Sequence, residues 1–419
     1  MLKQIEGSRA VAETIAACAP EVVCAYPISP QTHIVEALDE LTRLGEIPGC
    51  QFINVESEFS AMSVAIGSSA TGSRTYTATA SQGLLFMVEP VYNASGLGLP
   101  IVMTVANRAI GSPINIWNDQ SDAMSQRDSG WIQLYAQDNQ SAADLHVIAF
   151  KLAEELSLPV MVCMDGFILT HAMEEIDVVE REKVAAFLPP FNPRQVLDPA
   201  DPVSIGAMVG PEAFTEVKYL GHFKQLKALE IIPEISKQFA DVFGRRAAGD
   251  DDDSGLVTKY KLEDAELILV ALGSILGTIK DVVDEMRTQG IKVGVLGITS
   301  FRPFPMDAVR KHIKHGQKIL VVERAFSAGV GGIVSSNVRT ALAGIDTHIY
   351  TAVAGLGGRP ITLQSIRDLI NKALYGELAD FSFVDMNVEV VQRELERNLL
   401  TRRSGALASG LLQDVIDHE

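Results

Sequence analysis

Short apolar runs alternate with helix-patterned segments in two long series, and this alternation constrains the chain more than any other feature. From residue 20 to 170 the runs are "EVVCAYP", "QFINVE", "SRTYTATAS", "LPIVMTVAN" and "LPVMVCMDGF". They are separated by "QTHIVEALDELTRLG", "SEFSAMSVAIGSSATG", "QGLLFMVEPVYNASGLG" and "QSAADLHVIAFKLAEELS". The separators carry apolar residues every three or four positions, whereas the runs are apolar nearly throughout. Strands of that kind, joined by helices, predict a parallel sheet covered on both faces. The alternation restarts at "AELILVALGS" and runs through "TIKDVVDEMRTQG", "IKVGVLGITSFRPFP", "MDAVRKHIKHG", "QKILVVERAFSAG", "GGIVSSNVRTALAG" and "DTHIYTAVAG". The expected fold class is α/β, with two parallel-sheet domains, the second smaller, and a helical tail.

Residues 172 to 245 lose the rhythm. The prolines of "FLPPFNPRQVLDPADP" predict an irregular connection, and a helix from Phe214 to Phe243 follows. The aspartate run in "RRAAGDDDDSG" reads as a solvated loop and marks a boundary. The expected units are therefore residues 1–247, 248–380 and a helical tail at 381–419. The tail's "VEVVQRELERNL" is amphipathic and suited to packing on a neighbouring subunit, and "TRRSGALASG" interrupts the helix beyond it.

Several functions are disfavoured. A net charge of −18 argues against nucleic acid, whose phosphates need a basic footprint. Long uninterrupted apolar stretches are lacking and the N-terminal segment carries acids, so a soluble, cytoplasmic protein with no membrane partner is expected. The four cysteines, Cys18, Cys24, Cys50 and Cys163, show no CxxC spacing, so neither a disulfide framework nor a cluster held by this chain alone is expected. His312 and His315 lie on a charged helix and read as solvated, leaving no metal ligand assigned. In the second domain "GSILGT" and "SAGVGGIV" fail to complete GxGxxG, Val334 standing where the last glycine belongs. Walker and GxSxG motifs are absent, which disfavours an NAD-dependent oxidoreductase, a P-loop enzyme and an α/β-hydrolase.

Three strand ends of the first domain carry polar groups that a parallel sheet would gather at its carboxyl edge, where ligands bind. "AYPISP" leaves the first strand through two prolines, each fixing its own φ and restricting the residue before it, so Ser29 sits on a stiff elbow. "NVESE" runs into the apolar "FSAMSVAIG", placing Glu56 and Glu58 at a helix start. "ANRAIGSPINIWNDQSD" sets Arg108 at a strand end before a loop rich in Asn and Asp. Taken singly, each has a structural explanation: a glutamate satisfies a helix N-terminus, and an arginine pairs with a nearby acid.

Together with "ESEFSAMSVAIGSSATGSRTYTATASQGL", "ERAFSAGVGG" and "GLGGRPIT", these stretches resemble the α-subunits of thiamine-diphosphate-dependent 2-oxoacid:ferredoxin oxidoreductases, most closely those of the pyruvate enzymes, the pyruvate synthases. The likeness runs in order from about residue 5 to 365. The family's elbow usually reads "YPITP", and serine here keeps the hydroxyl while losing a methyl. The resemblance implies a pyrimidine-binding domain for thiamine diphosphate, followed by a transketolase C-terminal-like domain. It implies that Glu58 contacts N1′ of the aminopyrimidine and shares a proton with it, with Glu56 ranked second. It implies that Arg108 pairs with the 2-oxoacid carboxylate through its planar fork, and that Ser29 bonds the substrate near its oxo or carboxylate oxygens. Asn115, Asn118 and Asp119 are candidates for the active-site loop.

The GDG signature of a diphosphate–magnesium site is missing, "MDGF" and "GDDDD" being the nearest strings, and no cysteine set could hold an iron–sulfur cluster. The resemblance therefore implies a shared active site. A β-subunit would bind the diphosphate, Mg2+ and a [4Fe–4S] cluster, γ- and ferredoxin-like δ-type subunits or domains would accompany it, and coenzyme A and ferredoxin would be co-substrates. Pyruvate leads as substrate and branched-chain 2-oxoacids follow. 2-Oxoglutarate is disfavoured because no second basic residue is placed for its distal carboxylate. Oxalate is disfavoured by Ser29, since that relative's elbow tends to carry a basic residue there. A scaffold subunit without a catalytic role is the non-enzyme alternative.

Overall fold

The computed structural model describes residues 2–400. The rest of the tail, including "TRRSGALASG" and the helical segment expected after it, lies outside the described residues. Two seven-stranded sheets dominate. The first has the order Ser300–Arg302, Ile132–Tyr135, Val160–Asp165, Ile101–Asn107, Thr75–Thr79, Val22–Ala25 and Gln51–Asn54. All its neighbours run parallel except Ser300–Arg302, which is antiparallel to Ile132–Tyr135. The second has the order Phe381–Phe383, His348–Val353, Lys318–Glu323, Leu267–Ala271, Val293–Ile298, Val257–Tyr260 and Asp252–Asp253, antiparallel only in its last two pairings. Strands 75–79, 101–107, 160–165 and 267–271 are buried at every position, as uniformly apolar or small-residue runs require when helices cover both faces. The expected α/β class is what forms, but residues 381–383, expected in the helical tail, are instead the edge strand of the second sheet, paired with His348–Val353, and a helix follows only at Val388–Leu400.

Several elements differ from the sequence reading. "SFRPFP" is more than a strand exit in the second domain: Ser300–Arg302 crosses over to become the edge strand of the first sheet. Leu2–Glu6 pairs antiparallel with Met173–Asp177 in a small separate sheet, although the rhythm reads as lost at residue 172. The short strand Ile132–Tyr135 follows a turn rather than a long apolar run, so periodicity did not mark it. The aspartate run is not a solvated loop. Asp252 is 3% exposed and accepts from the Gly255 N–H at 2.6 Å, Asp251 pairs with Lys280 at 2.8 Å, and Asp253 lies 2.7 Å from Nε2 of His312. His312 is thereby a buried-side partner of that run and not a solvated histidine.

In the first sheet the chain runs from Val22–Ala25 outward to Gln51–Asn54 and then returns to Thr75–Thr79 on the other side. The crevice beyond the carboxyl ends of 22–25 and 75–79 is thus a topological switch point, the place where such sheets take ligands. The corresponding point of the second sheet, between Leu267–Ala271 and Lys318–Glu323, is filled. Asp165, 1% exposed, reaches across to accept from Ser274 N (2.8 Å), Ser274 Oγ (2.5 Å) and Arg324 Nη1 (2.9 Å). Burial opposes ionisation of Asp165, but Arg324 and the Ser274 hydrogen bonds outweigh it and hold the carboxyl below its ordinary value. Glu323 likewise plugs the start of the helix Ile333–Ala341, accepting from the N–H groups of Ile333 and Val334 at 2.7 Å. Both glycine turns of the second domain thus already hold a carboxylate where a phosphate would bind.

Candidate active site

Glu58 opens the helix Glu58–Ala70, capped by Ser57, whose hydroxyl accepts from Ser60 N at 3.2 Å. The cap is local chemistry: a serine just before an apolar helical run satisfies one of the free N–H groups of the first turn. Glu58 is 8% exposed, yet its carboxylate accepts no hydrogen bond from any described residue. A side chain at Gly83 would meet Glu58 Oε1 at 2.6 Å and Thr79 Oγ1 at 2.6 Å, so only glycine leaves the carboxylate its place. Thr79 Oγ1 is itself buried without a partner. Glu56 points elsewhere: it is exposed, takes the Ser60 hydroxyl, and is held below its ordinary pKa by that bond.

From Ser81, two residues before Gly83, a chain of buried hydrogen bonds leads to Arg108. Ser81 adopts a left-handed backbone (φ 50°), donates its N–H to Asp122 Oδ2 at 2.9 Å and its hydroxyl to the Ala109 carbonyl at 2.5 Å. Asp122, fully buried, also accepts from Arg108 N at 2.9 Å and Asn107 Nδ2 at 2.8 Å. Burial raises its pKa to about 6 against the pull of those hydrogen bonds. The Arg108 side chain, 7% exposed, donates from Nε to the Asn115 carbonyl (2.9 Å) and from Nη1 to the Ser29 carbonyl (3.0 Å). Nη2 makes no hydrogen bond among the described residues. The elbow is held in turn by Gln31, fully buried, whose amide donates to the Ala78 carbonyl at 2.7 Å and the Tyr26 carbonyl at 3.3 Å. Ser29 itself is exposed and its hydroxyl is unpartnered among the described residues.

The structure therefore brings Ser29 and Arg108 into contact and ties them through Asp122 and Ser81 to the Glu58 pocket. The loop residues divide. Asn115 accepts from Trp117 N at 2.7 Å and donates to the Gly357 carbonyl at 3.1 Å, docking the loop on the second half of the chain. Asn118 and Asp119 are buried: Asn118 Nδ2 bonds both the Asn107 carbonyl and Asp165 Oδ1 at 3.2 Å, and Asp119 takes Ser121 N and Gly357 N. Their contacts are those of positioning residues. Sequence reading missed Thr79, Gly83, Gln31 and Asp122. A glycine inside the helical "SQGLLF" was the one visible signal among them.

Comparison with known proteins fits this geometry. Residues 13–237 match the family "Pyruvate flavodoxin/ferredoxin oxidoreductase, thiamine diP-bdg", and residues 265–366 match "Pyruvate:ferredoxin oxidoreductase core domain II". The chain belongs to the pyruvate:ferredoxin oxidoreductase family. Within it, the chain is 45% identical over 396 residues to pyruvate synthase subunit PorA of Methanosarcina barkeri, covering 92% of this chain and 97% of that one. It is 39% identical over 368 residues to the ketoisovalerate oxidoreductase subunit VorA of Pyrococcus abyssi, covering 87% and 91%. A solved 2-oxoglutarate:ferredoxin oxidoreductase from Magnetococcus marinus superposes with a TM-score of 0.67 at 20% identity, which speaks to the fold. The match covers 89% of this chain and 65% of that longer one. The matched first family domain is a thiamine diphosphate-binding one. Among the described residues no helix is long and apolar enough to cross a membrane.

Proposed function

We propose that this chain is the α-subunit of a pyruvate:ferredoxin oxidoreductase, holding the aminopyrimidine end of thiamine diphosphate and the carboxylate end of the substrate. The reaction is oxidative decarboxylation of pyruvate with coenzyme A to acetyl-coenzyme A and carbon dioxide, two electrons passing to ferredoxin, and it is reversible. The observation that carries this reading is Glu58, 8% exposed at a helix start, whose carboxylate accepts no hydrogen bond from any described residue. Its oxygens are not among the sealed polar atoms of the fold, so the carboxylate is open to a ligand that can donate to it. The protonated ring nitrogen of an aminopyrimidine is a donor of the right kind, and the partnerless Thr79 hydroxyl beside it offers a second contact.

Thiamine diphosphate, when bound, supplies the carbanion chemistry for decarboxylation. The protein's part is to place groups around it. Glu58 holds a proton at the pyrimidine nitrogen. Arg108, clamped by two carbonyls, offers its remaining nitrogen to the substrate carboxylate, and Ser29 offers an unpartnered hydroxyl beside it. The two carbonyl clamps fix the guanidinium before substrate arrives, which lowers the ordering cost of binding.

A partner β-subunit supplies the diphosphate and Mg2+ site and a [4Fe–4S] cluster, with γ- and δ-type subunits or domains carrying electrons to ferredoxin. Exposed Phe59 and Phe86, in ring contact at 6.3 Å on the elements that carry Glu58 and Gly83, support a partner seated over the pocket. The similarity to the ketoisovalerate subunit favours 2-oxoisovalerate as a second substrate. The test is coenzyme A-dependent viologen reduction by the anaerobically purified complex, with pyruvate, 2-oxoisovalerate and 2-oxoglutarate in parallel. Pyruvate is expected to be turned over fastest. Glu58→Gln in the assembled complex is expected to lose most turnover, and unchanged turnover would return the chain to a scaffold role.

A further inference from the structure

Outside the Glu58–Arg108 region, one cluster of side chains has the composition of a metal site. We propose that Glu6, His33 and His171 bind a divalent cation of the zinc type, clamping segments that adjoin the Ser29 elbow. One potential ligand atom from each residue lies within 4.8 Å of the other two. The three arrive from separate places: Glu6 precedes the helix Gly7–Ala17, His33 lies in the first turn of Thr32–Arg43, and His171 follows the strand Val160–Asp165.

His33 Nδ1 already lies 2.7 Å from Glu6 Oε1, and the two imidazole rings are 4.5 Å apart between centroids. An acid–histidine pair alone would need only Glu6 and His33. The second imidazole is not there by accident of rotamer, because Nδ1 of His171 is engaged by Thr170 Oγ1 at 2.7 Å. Thr170 is fixed in turn, accepting from Phe167 N at 2.8 Å on its hydroxyl and from the Ser8 hydroxyl at 2.7 Å on its carbonyl. A hydrogen bond at one ring nitrogen, leaving the other for the ion, is how metal-binding histidines are usually oriented. Two imidazoles and a carboxylate form a set that zinc accepts, with a fourth position left to water. Zinc–nitrogen bonds of about 2.0–2.1 Å put ligand atoms roughly 3.3 Å apart, so closure needs only small side-chain turns. His33 is exposed and free to make them.

Such an ion would join the helix that follows Pro30 to the turn that supports Pro30 from below. Gly166 is packed so closely there that a side chain on it would lie 2.5 Å from Pro30 Cγ. The site therefore links two segments that both pack on the elbow.

The full-length chain, stripped with chelator, is titrated with Zn2+ alone by calorimetry and with Co2+ alone by visible absorption. One saturable ion per chain with a four-coordinate cobalt spectrum is expected. His33→Ala and His171→Ala are each expected to abolish it, and His312→Gln to leave it intact. In a parallel melting experiment Zn2+ should raise the transition temperature of the parent and not that of His33→Ala. No saturable binding by a folded parent chain would overturn the proposal, as would binding that survives both histidine substitutions. All four cysteines are buried, which removes them as competing ligands in the folded chain.

Discussion

Gly83→Ala separates catalysis from stability at a single methyl group. The added carbon would sit 2.6 Å from Glu58 Oε1, 2.6 Å from Thr79 Oγ1 and 2.9 Å from Glu58 Cγ. Comfortable non-bonded contact lies at about 3.5 Å, so the Glu58 carboxylate must retreat by roughly 1 Å. A displacement of that size at a reacting group costs about a hundredfold in rate, or ~2.7 kcal/mol in the barrier at about 1.4 kcal/mol per tenfold. Gly83 lies within the helix Ser81–Phe86, where alanine is favoured over glycine by roughly 0.5–1 kcal/mol. That gain offsets part of the crowding, so the variant should fold and assemble. Turnover of pyruvate is measured in the assembled complex, together with the thiamine diphosphate concentration needed for half-activation and the melting temperature of the isolated chain. The expected result is turnover reduced by about a hundredfold at saturating cofactor, with the melting temperature within a few degrees of the parent. Turnover within threefold of the parent would refute the idea that the position of Glu58 matters to the chemistry. A collapse of stability would show instead that Gly83 serves the core.

Three further outcomes follow from the same geometry. Arg108→Lys keeps the charge but cannot satisfy both the Ser29 and Asn115 carbonyls while presenting a third nitrogen, so the KM for pyruvate should rise at least tenfold, read from initial rates. Arg324→Met strands the buried Asp165 carboxylate and should destabilise the chain by roughly 3–5 kcal/mol in urea titrations, with Asp165→Asn added to it restoring part of the loss. His146 is fully buried, and burial lowers its pKa from 6.5 to about 4, so it folds neutral while the unfolded chain takes up a proton as pH falls through 6.5. Its contribution is intact above that pH and is lost progressively down to about 4, making the protein about 2 kcal/mol less stable at pH 5 than at pH 7 on this account. His146→Gln should flatten that part of the stability profile, and an unchanged slope would assign it to other groups.

The alternation of apolar runs made both sheets legible because burial on two faces leaves no other composition for a strand. The helix Phe214–Phe243 was readable at both ends, although Pro233 lies inside it. Ser29, Glu58 and Arg108 could be singled out because each comes soon after the end of a strand in a parallel sheet, where topology decides which residues meet. Gln31 and Asp122 were not readable: their importance lies in carbonyls and N–H groups they meet across long sequence separations. The aspartate run misled for the same reason. Composition says that acids prefer water, but Lys280 and His312, supplied by later helices, compensate Asp251 and Asp253. Asn118 and Asp119 lie close to Arg108 in sequence, but no local pattern shows their distant partners, Asp165 and Gly357.

The edge strand Ser300–Arg302 bears on how the molecule is made. Ile132–Tyr135 is fully buried, yet without its antiparallel neighbour it would end the first sheet with a row of unpaired backbone groups. Such an edge invites pairing with other chains. During synthesis the ribosome delivers every other strand of the first sheet long before residue 300, so a nascent chain carries an open template until much of the second sheet has been translated. A product cut between the two halves would keep that template for good. The two halves are thus bound to one reading frame by a three-residue strand, and separating them would need a replacement for it.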